Sequence, residues 1–217
     1  MNIRWLGHSC FQLTGTKTVL IDPFLTGNPK AAIRAEEVKD LDFLVVTHGH
    51  ADHLGDAYPI AERTGATLVS IFEITSAAEE RKINVEPMNI GGTVENGGVR
   101  FHMVSAAHSS PGSTPTGFVI EMDGWTVYHM GDTGLIPDME MLPRYFSIDV
   151  ALVPIGDRFT MGAASAAEAV KMCGAKRAVP MHFGTFPLIA PNADRFVERM
   201  RGVAEVKVLR PGESFDL

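Results

Sequence analysis

The sequence predicts an α/β fold in which two mixed β-sheets pack together and helices lie on the outside. Three observations carry that expectation. Short apolar runs rich in β-branched residues are punctuated by Gly, Pro, Asn and Asp. Some runs follow one another as hairpins, and others alternate with helical patterns. Both arrangements occur in each half of the chain, with no low-complexity linker between the halves and no repeat of about 20–50 residues. Residues 1–217 therefore read as a single domain.

Taken in order, Ile3–Leu6, Cys10–Leu13 and Thr18–Ile21 are strands, with Thr14-Gly15-Thr16-Lys17 as a turn. Asp42–Thr47 is a buried strand, Gly55–Thr64 a helix stopped by Gly65, and Thr67–Ile71 a second buried strand, which makes a βαβ unit. The middle returns to β-structure with Val99–Ala106, then Gly117–Met122 and Trp125–Met130 joined by Asp123-Gly124, a two-residue hairpin signal. Met139–Tyr145 reads as a helix leading to the strand Asp149–Ile155. Ser165–Cys173 is a helix opened by the capping box Ser165-x-x-Glu168 and closed at Gly174. The strand Ala178–Met181, a helix over Ala193–Arg201 and the strand Glu205–Leu209 complete the pattern.

Composition narrows the function classes. A chain of this length buries enough apolar surface to hold a core without a disulfide or structural metal, so any metal here is expected to be functional. Cys10 and Cys173 cannot build a disulfide framework or a thiolate zinc finger, and both read as core packing. So do the 11 methionines. With no signal-like N-terminus and no run approaching a membrane span, the expectation is a soluble cytoplasmic protein. The net charge of −7, without a block of Lys or Arg, argues against nucleic acid as an obligate partner. It leaves a small-molecule substrate as the expected partner, and a homo-oligomer is compatible.

The sharpest chemical signal is Thr47-His48-Gly49-His50-Ala51-Asp52-His53, between an apolar strand and a helix. His48 and His50 are two apart in an extended segment and project to one side, while the following turn brings Asp52 and His53 to a second point nearby. The arrangement suits two neighbouring cations better than one. At this chain's own His and Asp frequencies the pattern arises by chance in roughly 1 sequence in 2,000. Three further strand ends each offer a ligand where an apolar run gives way to a loop: His108, Asp132 and His182. Ligands drawn from several strand ends build a preorganised site. Imidazoles and carboxylates without thiolates suit Zn²⁺, Mn²⁺ or Fe²⁺.

These segments resemble the metallo-β-lactamase superfamily, together with Trp5–Phe11, Ile21–Pro29, Met130–Gly134, Pro154–Gly162 and Pro180–Pro187. The chain is similar over its whole length to a group of small metal-dependent hydrolases in that superfamily. The relatives resemble sugar-phosphate lactonases, phosphodiesterases and N-acyl phosphatidylethanolamine phospholipase D. The resemblance implies a four-layer αββα sandwich and a dinuclear site, with Zn²⁺ as the expected metal. In it His48, His50 and His108 bind one ion, Asp52, His53 and His182 the other, and Asp132 bridges. It implies a metal-bridging hydroxide that attacks an ester, lactone, phosphodiester or amide bond of a small, sometimes phosphorylated, substrate. Asp52 and Asp132 are then the catalytic carboxylates, and Asp52 also collects the leaving-group proton.

Outside the ligand set, Asp22 reads either as the carboxylate that orients the histidine-rich loop or as a turn-initiating Asp before Pro23. His8 is a candidate substrate contact or proton shuttle, or a hydrogen-bonded structural histidine. Ser109 and Arg158 are candidate substrate-binding residues, with a plain loop serine and surface arginine as the alternative. His102 and His129, inside strands, read as structural. Competing functions are a non-haem di-iron redox protein of the same fold, a nuclease or phosphodiesterase, and a non-catalytic metal-binding module. The redox branch is expected to carry a carboxylate where this chain has His50. Nucleases usually carry extra insertions, and a structural metal site is closed.

Overall fold

The computed structural model describes residues 1–217. Apolar runs separated by tight turns form an antiparallel ribbon of β1 (Asn2–Gly7), β2 (Cys10–Thr14) and β3 (Thr18–Ile21). The sheet then continues in parallel through β4 (Phe43–Val45), β5 (Thr67–Ile71) and β6 (Val85–Met88). The connections carry α1 (Ala51–Leu54), α2 (Ala57–Thr64) and α3 (Phe72–Glu79).

The second sheet repeats that scheme. An antiparallel run of β7 (Thr93–Asn96), β8 (Val99–Ser105), β9 (Thr116–Met122) and β10 (Trp125–His129) comes first. Parallel β11 (Val150–Pro154), β12 (Arg177–Met181) and β13 (Glu205–Val206) follow, with α4 (Ala163–Cys173) and α5 (Asp194–Arg199) as crossovers. Finally β14 (Ser214–Asp216) returns to pair with β1. The strand orders are β14-β1-β2-β3-β4-β5-β6 and β13-β12-β11-β10-β9-β8-β7, two mixed sheets as expected.

One core spans both sheets, with Phe43 of β4 edge-on to Phe101 of β8 at 5.2 Å between ring centres. A second lies outside β10 and β11, where the small side chains Ala166, Ala169 and Val170 let α4 approach closely and Phe196 of α5 completes the cover. The expected hairpin turn forms at Asp123-Gly124, with φ of 55° and 79°. Its carboxylate also accepts hydrogen bonds from Thr16 N (2.9 Å) and Oγ1 (2.6 Å), tying one sheet to the other.

Several elements differ from the sequence expectation for identifiable reasons. The helix expected over Gly55–Thr64 starts at Ala57, after a separate turn at Ala51–Leu54. Gly55 breaks the two, with φ of 41° and no room for a Cβ, which would lie 2.5 Å from the Pro23 carbonyl oxygen. The helix expected over Met139–Tyr145 is instead a 3₁₀ stretch, Pro137–Arg144, which Tyr145 caps, and Pro143 inside it donates no backbone hydrogen bond. The Ser165–Glu168 capping box does not form. Gly162 caps α4, and Ser165, inside the first turn, gives its hydroxyl to the Gly162 carbonyl at 3.2 Å. Strand Glu205–Leu209 shortens to Glu205–Val206. Four elements had no sequence signal. α3 opens on Phe-Glu-Ile-Thr and reads as more strand, while β6, β7 and β14 are short outer strands, of which β6 tolerates Pro87 as a sheet edge does.

Candidate metal centre

The loop after β4 leaves the sheet extended and enters α1 at His50, whose φ and ψ of −66° and 148° end the extended run. This places His48 Nε2 3.0 Å from His50 Nδ1. Gly49 between them lies so close to the 106–115 loop that a Cβ would sit 2.6 Å from the Pro111 carbonyl oxygen. Its N–H donates to Ser110 Oγ at 3.0 Å, locking that loop over the histidines. One turn on, α1 carries Asp52 and fully buried His53.

Asp22, buried at the end of β3, orders this loop. Its Oδ1 accepts from Thr47 N (2.8 Å), and its Oδ2 accepts from Thr47 Oγ1 (2.7 Å) and His53 Nδ1 (2.7 Å). An ionised carboxylate only accepts, so Thr47 spends its single hydroxyl proton on Asp22. Thr47 Oγ1, 3.0 Å from His48 Nδ1, is then left to accept from that nitrogen. The proton of each ring is thereby held on Nδ1, and Nε2 of both His48 and His53 turns towards the centre.

The remaining side chains arrive from other strand ends. After β10, Gly131 takes φ of 62°, a turn in which a Cβ would collide with the Thr116 carbonyl oxygen at 2.5 Å, and Asp132 follows. Asp132 Oδ1 lies 3.2 Å from His53 Nε2, while Oδ2 lies 3.0 Å from His182 Nε2 and 3.5 Å from His108 Nε2. His182, just past β12, sits at φ of 57°. Its Nε2 is also 3.9 Å from Asp52 Oδ2.

Burial sets the charge states. Loss of solvent holds His48 down at about 3 and lowers His108, so both rings are neutral at pH 7. Burial opposes charge on His53, but Asp132 and Asp22 on either side raise it well above the ordinary histidine value. Burial likewise opposes ionisation of Asp132, and His53 and His182 still hold its carboxyl well below the usual carboxylate range.

The donor set fits divalent cations. His53 Nε2 and Asp132 Oδ1 are buried, face each other at 3.2 Å and have no hydrogen-bond partner. Three overlapping groups each keep their possible ligand atoms within 4.8 Å of one another: His48, His50 and His108; His48, His53 and Asp132; His8, Asp52, His53 and His182.

All seven residues expected as ligands converge here. The residues expected around them do not all do so. His8 has no exposed surface, and both ring nitrogens are engaged, Nδ1 with Thr185 Oγ1 (2.9 Å) and Nε2 with Asp52 Oδ2 (3.2 Å). Ser109 is exposed, and it is its neighbour Ser110 that touches the histidine loop. Arg158 is exposed beside Phe159 and lines a separate groove of about 1260 Å³ against α5, which none of the seven residues lines. His102, bonded to Glu121 and Thr93, and His129, bonded to the Ser9 carbonyl, are structural. Thr47 and Thr185 contribute to the site without an assigned role in the sequence reading, because a lone hydroxyl residue in a loop has no distinguishing sequence pattern.

With this geometry in place, comparison with known proteins is decisive. The family model described as the Beta-lactamase superfamily domain matches residues 17–183. The chain belongs to the β-lactamase superfamily. Within that superfamily it is a member of the UPF0173 metal-dependent hydrolase family. It is 49% identical over 230 residues to the family's protein from Methanopyrus kandleri and 45% identical over 229 residues to that from Pelotomaculum thermopropionicum, with all of each chain covered. Among solved structures, Igni18, a metallo hydrolase from the archaeon Ignicoccus hospitalis, is similar with a TM-score of 0.91 and 36% identity, covering 100% of this chain and 98% of that one. No helix of this superfamily member is long and apolar enough to cross a membrane.

Proposed function

We propose that the protein is a dinuclear metal-dependent hydrolase acting on an ester, lactone, phosphodiester or amide bond of a small substrate. The observation that carries this reading is the set of three overlapping donor groups, joined through His48 and His53, on a scaffold shared with metal-dependent hydrolases. His48, His50 and His108 would hold one ion, Asp52, His53 and His182 would hold the second, and Asp132, which lies within 3.5 Å of His53, His108 and His182, would serve both. Bound there, two divalent ions, with Zn²⁺ the leading candidate, lower the pKa of water and polarise the substrate's carbonyl or phosphoryl oxygen.

The chain's own residues supply preorganisation. Asp22 and Thr47 hold a proton on Nδ1 of His53 and His48, so Nε2 of each ring is the atom left to face a metal. Ser110 holds the 106–115 loop against Gly49 and gives the site a wall. Asp52, with 28% of its side chain exposed against 3% for Asp132, is the carboxylate a substrate reaches and the acceptor for the leaving group's proton.

Purified protein should carry close to two transition-metal ions per chain by elemental analysis, as a two-metal hydrolase requires. The loaded protein should turn over at least one member of a panel of lactones, phosphodiesters, thioesters and amides. A metal content near zero after reconstitution with Zn²⁺, Mn²⁺ or Fe²⁺ would refute the reading.

A further inference from the structure

His8 was a candidate for touching substrate, and its complete burial removes it from that role. Its position is nonetheless tightly specified. Gly7 before it adopts φ of 111° with no space for a side chain, since a Cβ would lie 2.4 Å from the Lys30 carbonyl oxygen, and His8 itself sits at φ of 55°. Its carbonyl accepts from Trp5 Nε1 (2.9 Å) and from His182 N (3.1 Å), so both sheets anchor its backbone. The rings of Phe24 and Phe186 meet the imidazole edge-on at 5.8 and 5.2 Å and close it off.

We infer that His8 and Thr185 form a positioning pair that sets the orientation of Asp52, an inference that rests on Asp52 holding the second ion. The chain of donors runs one way. Asp52, as a carboxylate, accepts from His8 Nε2–H at 3.2 Å, which leaves the Nδ1 lone pair to accept the single Thr185 hydroxyl proton at 2.9 Å in preference to the Phe183 carbonyl oxygen, the more distant acceptor at 3.4 Å. Asp52 Oδ2 is thereby pinned 3.9 Å from His182 Nε2. Asp52 needs such a device more than its neighbours do. It is the most exposed carboxylate of the cluster, on a four-residue helix, and its only side-chain hydrogen bond is the one from His8.

The test is Zn²⁺ titration of the metal-free full-length protein against a competing chelator, resolving two stepwise affinities, with the visible spectrum of the Co²⁺-loaded protein as a second readout. Wild-type protein is measured first. If it binds fewer than two ions, the two-ion reading itself fails, independently of His8. Given two ions, His8→Phe should weaken one of the two affinities by about 10–100-fold and leave the other unchanged. His8→Gln, whose amide N–H can still reach Asp52, should stay within about threefold of wild type, because the hydrogen bond that orients Asp52 is kept. Thr185→Val should lose about fivefold at the same site, and Thr185→Ser should match wild type.

Wild-type affinity at both sites in His8→Phe would show that the ring only fills space and would overturn the inference. His8→Gln as weak as His8→Phe, with an altered Co²⁺ ligand-field spectrum, would overturn it in favour of His8 as a metal ligand. If His8→Phe does not fold, the Thr185 pair decides: equal affinities in Thr185→Val and Thr185→Ser overturn the pairing.

Discussion

The two halves of the molecule follow the same plan and divide the chemistry unequally. In each sheet an antiparallel ribbon passes into a parallel run, at β3 in one and β10 in the other. An aspartate follows each of these switch strands, Asp22 and Asp132, and the two approach opposite nitrogens of one imidazole, His53, at 2.7 and 3.2 Å. A histidine likewise follows the corresponding strands β1 and β8. His8 is buried and bonded at both nitrogens, while His108 is partly open and faces Asp132. In each pair the first-half member supports and the second-half member faces the centre. The parallel strands reverse the weighting, since β4 is followed by four potential ligands in sequence, whereas the loop after β11 carries none of the converging residues. The same backbone scheme thus delivers loops to one edge twice, and only the side chains decide which half binds and which half braces.

That division can be broken by substitution, and the largest effect should come from the dense loop. Replacing both His48 and His50 by Ala should drop metal content from about two ions per chain to about one or fewer by elemental analysis, because one site loses two of its three histidines. Two ions per chain in that variant would show that the loop does not bind. In the second half, Asp132→Ala should lower turnover of a generic ester or bis-nitrophenyl phosphate on the order of a thousandfold or more, with circular dichroism unchanged, since it removes the carboxylate proposed to serve both ions. Full activity would remove Asp132 from the centre. Its first-half counterpart acts through His53, so Asp22→Asn should weaken metal binding only about 10–100-fold. An effect of Asp22→Asn as large as that of Asp132→Ala would erase the distinction between bracing and binding halves.

Smaller effects follow from burial. In the metal-free protein His8 and His48 are held at about 4 and about 3, below the ordinary 6.5, so the unfolded chain takes up protons first as pH falls below 6.5. Stability is therefore lost between pH 6.5 and about 4, by roughly 2 kcal/mol per group at pH 5. That corresponds to a melting-temperature decrease of several degrees from pH 7 to pH 5. The carboxyls of Asp22, Asp52 and Asp132 have lowered values and add their own loss only as pH falls further, below the ordinary 3.8. A flat melting temperature across that range would contradict the buried neutral histidines. Smallest of all, Thr47→Val should cost about fivefold in metal affinity, one tautomer-setting hydrogen bond being worth about 1 kcal/mol.

Legibility in the sequence follows the same split. The contiguous run His48–His53 is readable because two ligands in an extended segment and two in the next turn share one stretch of chain. His108, Asp132 and His182 are readable only in its company, as polar residues at the ends of apolar strands. Asp22 left two readings open, and its contacts with Thr47 and His53 match the loop-orienting one. Ser109 and Arg158 illustrate the limit. Loop proximity in sequence put Ser109 one residue from the serine that makes the contact, and Arg158 points its chemistry at a different groove. Most strands were readable from apolar runs. α3 and the short outer strands β6, β7 and β14 were not, because little hydrophobic periodicity marks them.

The sequence by itself determined the two-sheet class, the turn at Asp123-Gly124 and the identity of the donors, because periodicity, positive-φ turns and ligand chemistry are local properties. Tertiary structure alone decided which histidine nitrogen faces the centre, that Asp22 and Asp132 grip the same ring, and that His8 serves Asp52. Those outcomes depend on hydrogen bonds between residues 25 to 177 positions apart, Asp22 with Thr47 at one extreme and His8 with Thr185 at the other. No local pattern encodes such a distance. Only the pairing of strands into two sheets brings those loops to one edge, and only there does a single proton on each hydroxyl or imidazole settle who donates to whom.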